Sequence, residues 1–330
     1  MRRLKSSVKR DAPNWPNSRT ESKRAREIIV SKSPLDEPTD ENGGGLYERE
    51  LRVACELARA AGATTLAYYG GPLRVEHKKG DPGDPVTQAD REANEIIVEG
   101  LRKAFPGDGL LAEESVDTGR RLCHERAWMI DPLDGTKDFI AGTGDFAVQI
   151  GLAMGGESVL GVVYQPVPDV LYLAARGHGA WVVRPDVAPE QMRVSERTEL
   201  THARLAVSRS HRSPRMEWVV RALDIAEEVP RGSVGIKIGL ITERQCDLYI
   251  HLSSQTKQWD TCAPEAILTE AGGLLTDLWG EPLRYNTPDV RNYNGLVAAG
   301  KAAHPSIIRK LAPLLARFGR KRVDPSSKNS

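Results

Sequence analysis

A series of strand-like segments and turns between residues 147 and 183 constrains the fold of this chain more than any other feature. Turn-forming residues interrupt the series at 155–157, 166–169 and 176–179. Strand-like runs joined by short turns are typical of an antiparallel meander. Helical patterns at 47–69 and after the capping-box sequence 87–90 precede it. The sequence therefore predicts an α+β domain over residues 46–200, with two helices packed on one antiparallel sheet.

After residue 200 the pattern changes to alternating β and α segments. We expect a strand at 205–208, a helix at 215–228, a strand at 248–250 and a helix from about residue 260 to 272. These segments predict an α/β domain over residues 201–316. The remaining segments are polar and basic without periodicity, so we expect a disordered N-terminal tail at 1–45 and a frayed C-terminal tail at 317–330.

The hexapeptide DPLDGT at residues 131–136 carries the clearest chemical signal. It follows the apolar run 127–130, which we interpret as a short buried strand, so Asp131 and Asp134 lie at a strand end. Two aspartates that converge there suit a hard divalent cation, and the N–H groups of Gly135 and Thr136 suit a phosphate. An Asp-Pro turn followed by a helix N-cap would use the same residues, so that alternative stays open for the hexapeptide alone.

Further acidic residues are dispersed along the chain. Glu113 and Glu114 follow another short apolar run, and two adjacent acids there repel each other unless a cation neutralises them. Asp90 and Asp260 each stand at a predicted helix start, where a capping role is the better explanation when each is taken alone. Histidine and cysteine clusters are absent from the sequence, so these oxygen ligands favour Mg²⁺ over zinc.

Taken together, these acidic motifs point to a known family. Asp90, the pair Glu113–Glu114, the DPLDGT run and the Trp-Asp motif at 259–260 occur in one order between residues 87 and 273. In that order they resemble the inositol monophosphatase superfamily of metal-dependent, often lithium-sensitive phosphatases, over roughly residues 46–315. The resemblance implies a layered αβαβα sandwich of α+β or α/β class, as in inositol monophosphatase and fructose-1,6-bisphosphatase, with the active site between two domains.

The resemblance also implies how these residues would hold Mg²⁺. One ion would be bound by Glu113, Asp131 and the backbone carbonyl of Leu133. A second ion would be bound by Asp131, Asp134 and Asp260. Two divalent ions about 4 Å apart can generate a nucleophile and neutralise the leaving oxygen of a phosphate ester.

By the same resemblance, Asp90 would either hold a third, weaker Mg²⁺ or pair with Thr136 to orient the attacking water. The predicted catalytic residues are therefore Asp90, Glu113 and Thr136. The N–H groups of Gly135 and Thr136, at a helix start, would bind the phosphate. No covalent intermediate is required.

Local features favour the 3′(2′),5′-bisphosphate nucleotidase branch of the superfamily. Segments 208–211 and 232–237 resemble that branch's Ser/His and Gly-Ser-x-Gly-x-Lys segments, and the form of the Trp-Asp motif is also closer to it. Just before that motif, the chain lacks the glutamate with which inositol phosphatases usually hold ring hydroxyls. An arginine that some nucleotidases place near residue 251 is also absent, which leaves base recognition open. The predicted substrate-binding residues are His211, Ser233, Lys237 and Lys257, although a surface histidine, a turn serine and solvated lysines are their structural alternatives.

The expected reaction is Mg²⁺-dependent hydrolysis of 3′-phosphoadenosine 5′-phosphate to AMP and phosphate, a step that belongs with sulfur assimilation. An inositol monophosphatase or a sugar bisphosphatase of the same superfamily is the first alternative. A non-catalytic phospho-ligand binding protein that has kept the fold is the alternative from another class. The intact acidic set argues against the last of these.

Composition agrees with a soluble enzyme and adds little detail. The 46 basic and 45 acidic residues give a net charge of +1, so the overall charge does not indicate a nucleic-acid-binding protein. Weak RNA binding through the basic tail and a homodimer both stay open. No apolar run approaches the roughly 18 residues of a membrane span. The four cysteines are widely spaced in or beside apolar segments, which favours buried, reduced thiols and a cytoplasmic location.

The turn-rich segment 80–85 is predicted to be a metal-ordered lid.

Overall fold

The computed structural model describes residues 47–77, 85–210 and 213–324. The predicted tail at 1–45, nearly all of the predicted lid and His211 lie outside these residues. The described residues up to 200 form three α-helices, nine β-strands and one 3₁₀ turn (Arg120–Cys123), in the order α1 (Glu48–Tyr68), β1 (Glu76–His77), β2 (Pro85–Val86), α2 (Gln88–Ala104), β3 (Gly109–Ala112), β4 (Arg126–Asp134), α3 (Thr136–Ile140), β5 (Ala147–Met154), β6 (Glu157–Gln165), β7 (Val170–Ala175), β8 (Ala180–Val183) and β9 (Glu190–Met192).

In the second half of the chain, helices alternate with strands. Its described residues form four α-helices and five β-strands, in the order β10 (Ala203–Ser208), α4 (Met216–Leu223), β11 (Ile225–Arg231), α5 (Val234–Thr242), β12 (Leu248–His251), α6 (Gln258–Glu270), β13 (Gly273–Thr276), β14 (Leu296–Gly300) and α7 (His304–Arg317).

Strands β3 to β9 form a seven-stranded sheet in chain order. The predicted meander at 147–183 is confirmed, since each neighbouring pair from β4 to β9 is antiparallel. The expectation of a fully antiparallel sheet is wrong at one edge, where β3 pairs with β4 in parallel. This parallel pair matters because the carboxyl ends of β3 and β4 then lie at the same edge of the sheet.

Helices α1 and α2 cover one face of the seven-stranded sheet. On α1 the buried residues Leu51, Ala54, Ala58 and Ala61 recur at intervals of three and four, which places them on one side of the helix. They form one hydrophobic cluster with α2 and with β4 and β5 side chains such as Trp128. The predicted packing of two helices on one sheet is therefore present.

A five-stranded sheet with the order β11-β10-β12-β14-β13 forms the second half. Its outer face packs against α4 and α7 in a separate hydrophobic cluster. The expected helix at 215–228 is wrong after Leu223, because Asp224 adopts a left-handed conformation (φ 55°) and β11 follows at once. Pro230 is accommodated there because β11 is an edge strand with β10 as its neighbour.

Helices α5 and α6 lie between the two sheets and complete an αβαβα sandwich. One hydrophobic cluster joins residues of both sheets and both helices, including Met129, Ile238, Ile267 and Ala298. Helix α6 approaches the seven-stranded sheet so closely that a Cβ at Gly161 would overlap the Ala263 carbonyl. Because this core is shared, the division into domains at residue 200 stays a prediction.

All four cysteines are free thiols, and Cys55, Cys246 and Cys262 are buried. The expectation of a buried thiol is wrong for Cys123, which is exposed in the 3₁₀ turn. Within the part of the chain that the structure describes, none of the helices combines the length and apolar character needed to span a bilayer.

Candidate active site

The site begins where β3 and β4 run side by side. Glu113 follows the last residue of β3, and its N–H donates to the carbonyl oxygen of Ile130 on β4 at 3.0 Å. Strand β4 does not end at Ile130, as the sequence had predicted, but continues through both aspartates of the DPLDGT run. Asp131 lies opposite Gln149 and Asp134 lies opposite Ala147, so β4 holds one extra residue between them. Such a bulge redirects the side chains at the strand end.

Three carboxylates converge at this edge. Oxygen atoms of Glu113, Asp131 and Asp260 lie within 4.8 Å of one another, and Asp131 is almost fully buried. Asp260 reaches the cluster from the first turn of α6, the helix between the two sheets. A set of hard oxygen donors at this spacing fits a divalent cation of the Mg²⁺ type. These residues could therefore hold a metal ion.

The electrostatics of the cluster favour a bound cation. Burial, followed by the charges of Glu113 and Asp134, raises the pKa of Asp260 well above its usual value. Burial also raises the pKa of Asp134, although Lys237 and two hydrogen-bond donors oppose this shift. Crowded, desolvated carboxylates are costly without a counter-charge, and a divalent cation supplies one.

Asp90 and Asp260 have the capping roles that their sequence positions suggested. The backbone N–H of Lys257 donates to Oδ2 of Asp260 at 2.8 Å. Thr87 donates to Oδ2 of Asp90 through its backbone N–H at 2.8 Å and its hydroxyl at 2.6 Å. Each cap occupies one carboxylate oxygen and leaves the second available for the site. The capping explanation and the functional one are therefore compatible.

Thr136 connects Asp90 to the end of β4. Its hydroxyl lies 3.2 Å from Oδ1 of Asp90 and 3.3 Å from the carbonyl oxygen of Leu133. Gly135, which precedes the short helix α3, has φ 102°, a value that L side chains rarely adopt. Burial raises the pKa of Asp90 despite its three hydrogen-bond donors. The structure thus brings together Asp90 and Thr136, one of the two arrangements that the resemblance implied for Asp90, and their catalytic roles stay predictions.

The predicted substrate-binding residues are in varied surroundings. Ser233 caps α5, and its hydroxyl donates to Oδ2 of Asp134 at 2.7 Å. Lys237 is 3% exposed, its ammonium donates to the carbonyl oxygen of Gly232, and burial lowers its pKa to about 8. The ammonium of Lys257 lies 5.1 Å from the centre of the Trp259 ring. Roles for Ser233, Lys237 and Lys257 in substrate binding stay predictions.

Residues that were not predicted also contribute to this region. Arg209 contacts the carboxylates of Asp145 and Asp138, the latter at 3.3 Å, and Arg231 lies 3.9 Å from Asp145. Gln149 donates from Nε2 to Oδ2 of Asp134 at 2.6 Å. Gln149 could have been noticed in the sequence, because it is a single glutamine inside the otherwise apolar strand β5. Nothing in the sequence indicated that Arg209 and Arg231 would lie close to α3.

A cavity of about 370 Å³ is lined by residues of β3, the start of α6 and the segment 288–290. Its lining includes Ala112 and Trp259, the residues immediately before Glu113 and Asp260. The buried indole N–H of Trp259 has no hydrogen-bond partner among the described residues. Glu113 and Asp260 are themselves partly exposed, so the acidic cluster is not enclosed in the core.

The layered sandwich, with an acidic site at the edge of its mixed sheet, defines an α+β sandwich of the inositol monophosphatase and fructose-1,6-bisphosphatase type. The model of the inositol monophosphatase family matches residues 46–315. The chain belongs to this family and is a phosphatase of the inositol monophosphatase type.

Relatives and solved structures agree with this assignment. The 3′(2′),5′-bisphosphate nucleotidase CysQ of Salmonella typhimurium is 37% identical over 239 residues, which cover 71% of this chain and 93% of that protein. The inositol-1-monophosphatase of Bacillus subtilis is 28% identical over 258 residues, or 78% of this chain and 94% of that protein. The crystal structure of CysQ from Bacteroides thetaiotaomicron is 32% identical, with a TM-score of 0.66 over 76% of this chain and 97% of that one.

Proposed function

We propose that this protein is a Mg²⁺-dependent phosphomonoesterase that hydrolyses 3′-phosphoadenosine 5′-phosphate to AMP and phosphate. The observation that carries the proposal is the convergence of Glu113, Asp131 and Asp260 within 4.8 Å. All three are hard oxygen donors, and their crowding favours a divalent cation.

Five residues would hold two Mg²⁺ ions. Glu113, Asp131 and the Leu133 carbonyl would bind one, and Asp131, Asp134 and Asp260 would bind the other. When bound, Mg²⁺ supplies charge neutralisation for the phosphate and lowers the pKa of water. These carboxylates would position the ions, and the buried strand β4 fixes Asp131, the residue that would contact both.

The protein's own groups would orient and deprotonate the attacking water. The Thr136 hydroxyl accepts a hydrogen bond from the water and donates its own proton toward Oδ1 of Asp90 at 3.2 Å. Thr87 holds the other oxygen of Asp90, so Oδ1 stays directed at Thr136. A buried carboxylate with a raised pKa is a stronger general base than an exposed one. The N–H groups of Gly135 and Thr136 would bind the phosphate. Asp90 as the ligand of a third, weaker Mg²⁺ remains the alternative to this role.

The choice of a nucleotide substrate is supported by the relatives named CysQ, at 36–37% identity, above the 28% of the Bacillus subtilis inositol-1-monophosphatase. The sequence segments that contain His211, Ser233 and Lys237 support the same choice. The Lys237 ammonium donates to the carbonyl oxygen of Gly232, and because an ammonium has three N–H donors, a phosphate contact would be compatible with that bond. A small phosphate ester is therefore the proposed partner, and a cytoplasmic location, lithium sensitivity and a homodimer stay predictions.

The test is phosphate release by the full-length protein, measured as kcat/KM with and without Mg²⁺. The substrates are 3′-phosphoadenosine 5′-phosphate, inositol 1-phosphate and fructose 1,6-bisphosphate under matched conditions. A preference for the nucleotide of about a hundredfold, or about 2.7 kcal/mol in transition-state binding, supports the proposal. A preference for either other substrate would leave the metal site in place and discard the nucleotide assignment.

Asp131→Asn provides the matched variant because it keeps the shape of the side chain and removes its charge. We expect turnover to fall by at least about a hundredfold, since the aspartate would contact both ions. The far-UV circular dichroism spectrum should be unchanged. Near-wild-type turnover in this variant would contradict the metal assignment.

A further inference from the structure

We propose that Gln149 is a positioning residue that clamps Asp134, so that one oxygen of this carboxylate is held by the protein and the other faces the metal site. The inference rests on the proposed function, because it assumes that Asp134 binds a divalent cation. Gln149 itself would contact neither the substrate nor the ion.

Strand register brings Gln149 to the site. It lies directly opposite Asp131 in the antiparallel pair of β4 and β5. Opposed residues of such a pair project to the same face of the sheet, here the face covered by α5 and α6. Gln149 is fully buried, and its Nε2 lies 2.6 Å from Oδ2 of Asp134. A carboxylate oxygen only accepts hydrogen bonds, so the amide NH₂ is the end that faces Asp134.

Two further donors reach the same oxygen. The hydroxyl of Ser233 lies 2.7 Å from Oδ2 of Asp134, and the backbone N–H of Val234 lies 2.6 Å from it. Three donors from β5, the α5 cap and the first residue of α5 therefore meet one oxygen. A carboxylate has about two acceptor positions on each oxygen, so Oδ2 is saturated by the protein. The cation would then be bound through Oδ1 alone.

The other end of the Gln149 amide is poorly accommodated. Its Oε1 is buried without a hydrogen-bond partner among the described residues. The backbone of Gly235 lies so near that a Cβ there would be 2.8 Å from Oε1. An unpaired buried acceptor destabilises the folded state, so packing alone would be better served by an apolar side chain of similar length. The contact that favours glutamine at this position is the one to Asp134.

Loss of this donor should loosen Asp134 without loosening the fold. Without Gln149, Asp134 would be held only by two adjacent residues at the start of α5 and no longer from β5, so the carboxylate can rotate and present its oxygens less favourably to a cation. Removing an outer partner of a metal ligand typically weakens metal binding by about 10–100-fold.

The experiment is titration calorimetry of the metal-free full-length protein with Mn²⁺, alongside its thermal unfolding in the absence of metal. For Gln149→Met, which keeps the length of the side chain and removes both amide atoms, we expect Kd for Mn²⁺ to rise about 10–100-fold. The unfolding midpoint should be unchanged or higher, because the unpaired Oε1 is removed. Gln149→Asn, whose amide is one methylene too short for the contact, should also raise Kd and provides the test if the methionine variant does not fold.

Gln165→Met is the matched control on the neighbouring strand. The Gln165 amide donates to the carbonyl oxygen of Gly144 at 3.1 Å, not to an acid of the cluster. This variant should leave Kd for Mn²⁺ unchanged. If Gln149→Met lowers the unfolding midpoint and leaves Kd for Mn²⁺ unchanged, Gln149 has only a structural role. That result would overturn this inference but not the proposed function. Absence of Mn²⁺ binding to the wild-type protein would overturn the proposed function as well.

Discussion

Asp90 and Asp260 use one carboxylate oxygen to cap a helix and leave the other for the site. Each stands at the third position of its helix, and each accepts the backbone N–H of the residue before that helix at 2.8 Å. The cap fixes the plane of the carboxylate, so the second oxygen has a defined direction. At the scale of single residues, therefore, a local helix signal and a functional residue coincide. This explains why neither aspartate could be assigned from its own neighbours.

The pairing of Thr136 with Asp90 leads to a test of the proposed proton path. Thr136→Val keeps the size of the side chain and the backbone N–H, but it removes the hydroxyl 3.2 Å from Asp90. We expect kcat to fall by about a hundredfold or more, with KM little changed because the N–H for the phosphate is retained. Thr136→Ser, which keeps the hydroxyl, should stay within about tenfold of the wild type. Equal activities of the valine and serine variants would exclude the proposed path.

At the scale of secondary structure, the parallel pair of β3 and β4 and the amino end of α6 assemble the acidic cluster. The parallel pair places Glu113 beside Asp131, and α6 brings Asp260 to the same edge from the middle layer. Helix α6 can come this close because Gly151 and Gly161 leave room on the sheet. Substituting either glycine would push the helix, and with it Asp260, away from the other two carboxylates.

Helix α6 also carries Glu265, a largely buried carboxyl that accepts a hydrogen bond from the Tyr285 hydroxyl. Burial raises the pKa of Glu265 from 4.5 to about 7. The folded protein therefore retains a proton that the unfolded chain releases above pH 4.5. This contribution lowers stability as the pH rises from 4.5 to 7 and is constant above 7.

Glu265→Gln mimics the protonated carboxyl, so it should be more stable than the wild type at pH 8. We expect the free energy of unfolding of the variant to be higher by about 2 kcal/mol, which corresponds to about 3 °C in Tm. This is less than the full pKa shift implies, because the side chain keeps some solvent contact. The difference should disappear near pH 4.5. Differential scanning calorimetry of both proteins across this range measures it, and a difference independent of pH would contradict the titration of Glu265.

At the scale of the whole molecule, the core is one shared middle layer between two sheets. The hydrophobic cluster around α5 and α6 contains side chains from β3 at one end of the chain and β14 at the other. The site lies at the edge of this layer, so its residues are separated by 170 positions in the sequence, from Asp90 to Asp260. Its geometry therefore depends on the packing of both sheets against α6.

Deletion of residues 1–45 tests whether the matched region suffices for activity. The family match begins at residue 46, and the first described residue, Tyr47, is buried and contacts Met154. We expect kcat/KM for the proposed substrate to stay within about twofold, since the family match and all of the candidate site residues lie after residue 45. A loss greater than tenfold would give the segment a role in the site. RNA binding is the alternative role for this segment, because residues 1–30 contain nine basic and three acidic residues. Such binding should weaken with added salt and should be lost when residues 1–45 are deleted.

The sequence by itself determined several of the elements, the order of the acidic motifs and the family, because these depend on local periodicity and on short motifs. It predicted the meander, the helices α1, α2 and α6, and the residues that now form the carboxylate cluster. It misjudged the end of α4, where a left-handed Asp224 turns the chain into an edge strand. Local propensity cannot report a strand that exists only through pairing with β10.

Only the tertiary structure decided which side chains are hydrogen-bonded to each acidic residue and which charged groups are buried. Gln149, Ser233 and the N–H of Val234 meet on Asp134 across about 100 residues, and Lys237 is buried against Gly232 rather than exposed. The reason is physical: these contacts depend on strand register and on the approach of helices to the sheet, which long-range packing sets. Motifs identified the acids, whereas packing decided how each acid is held.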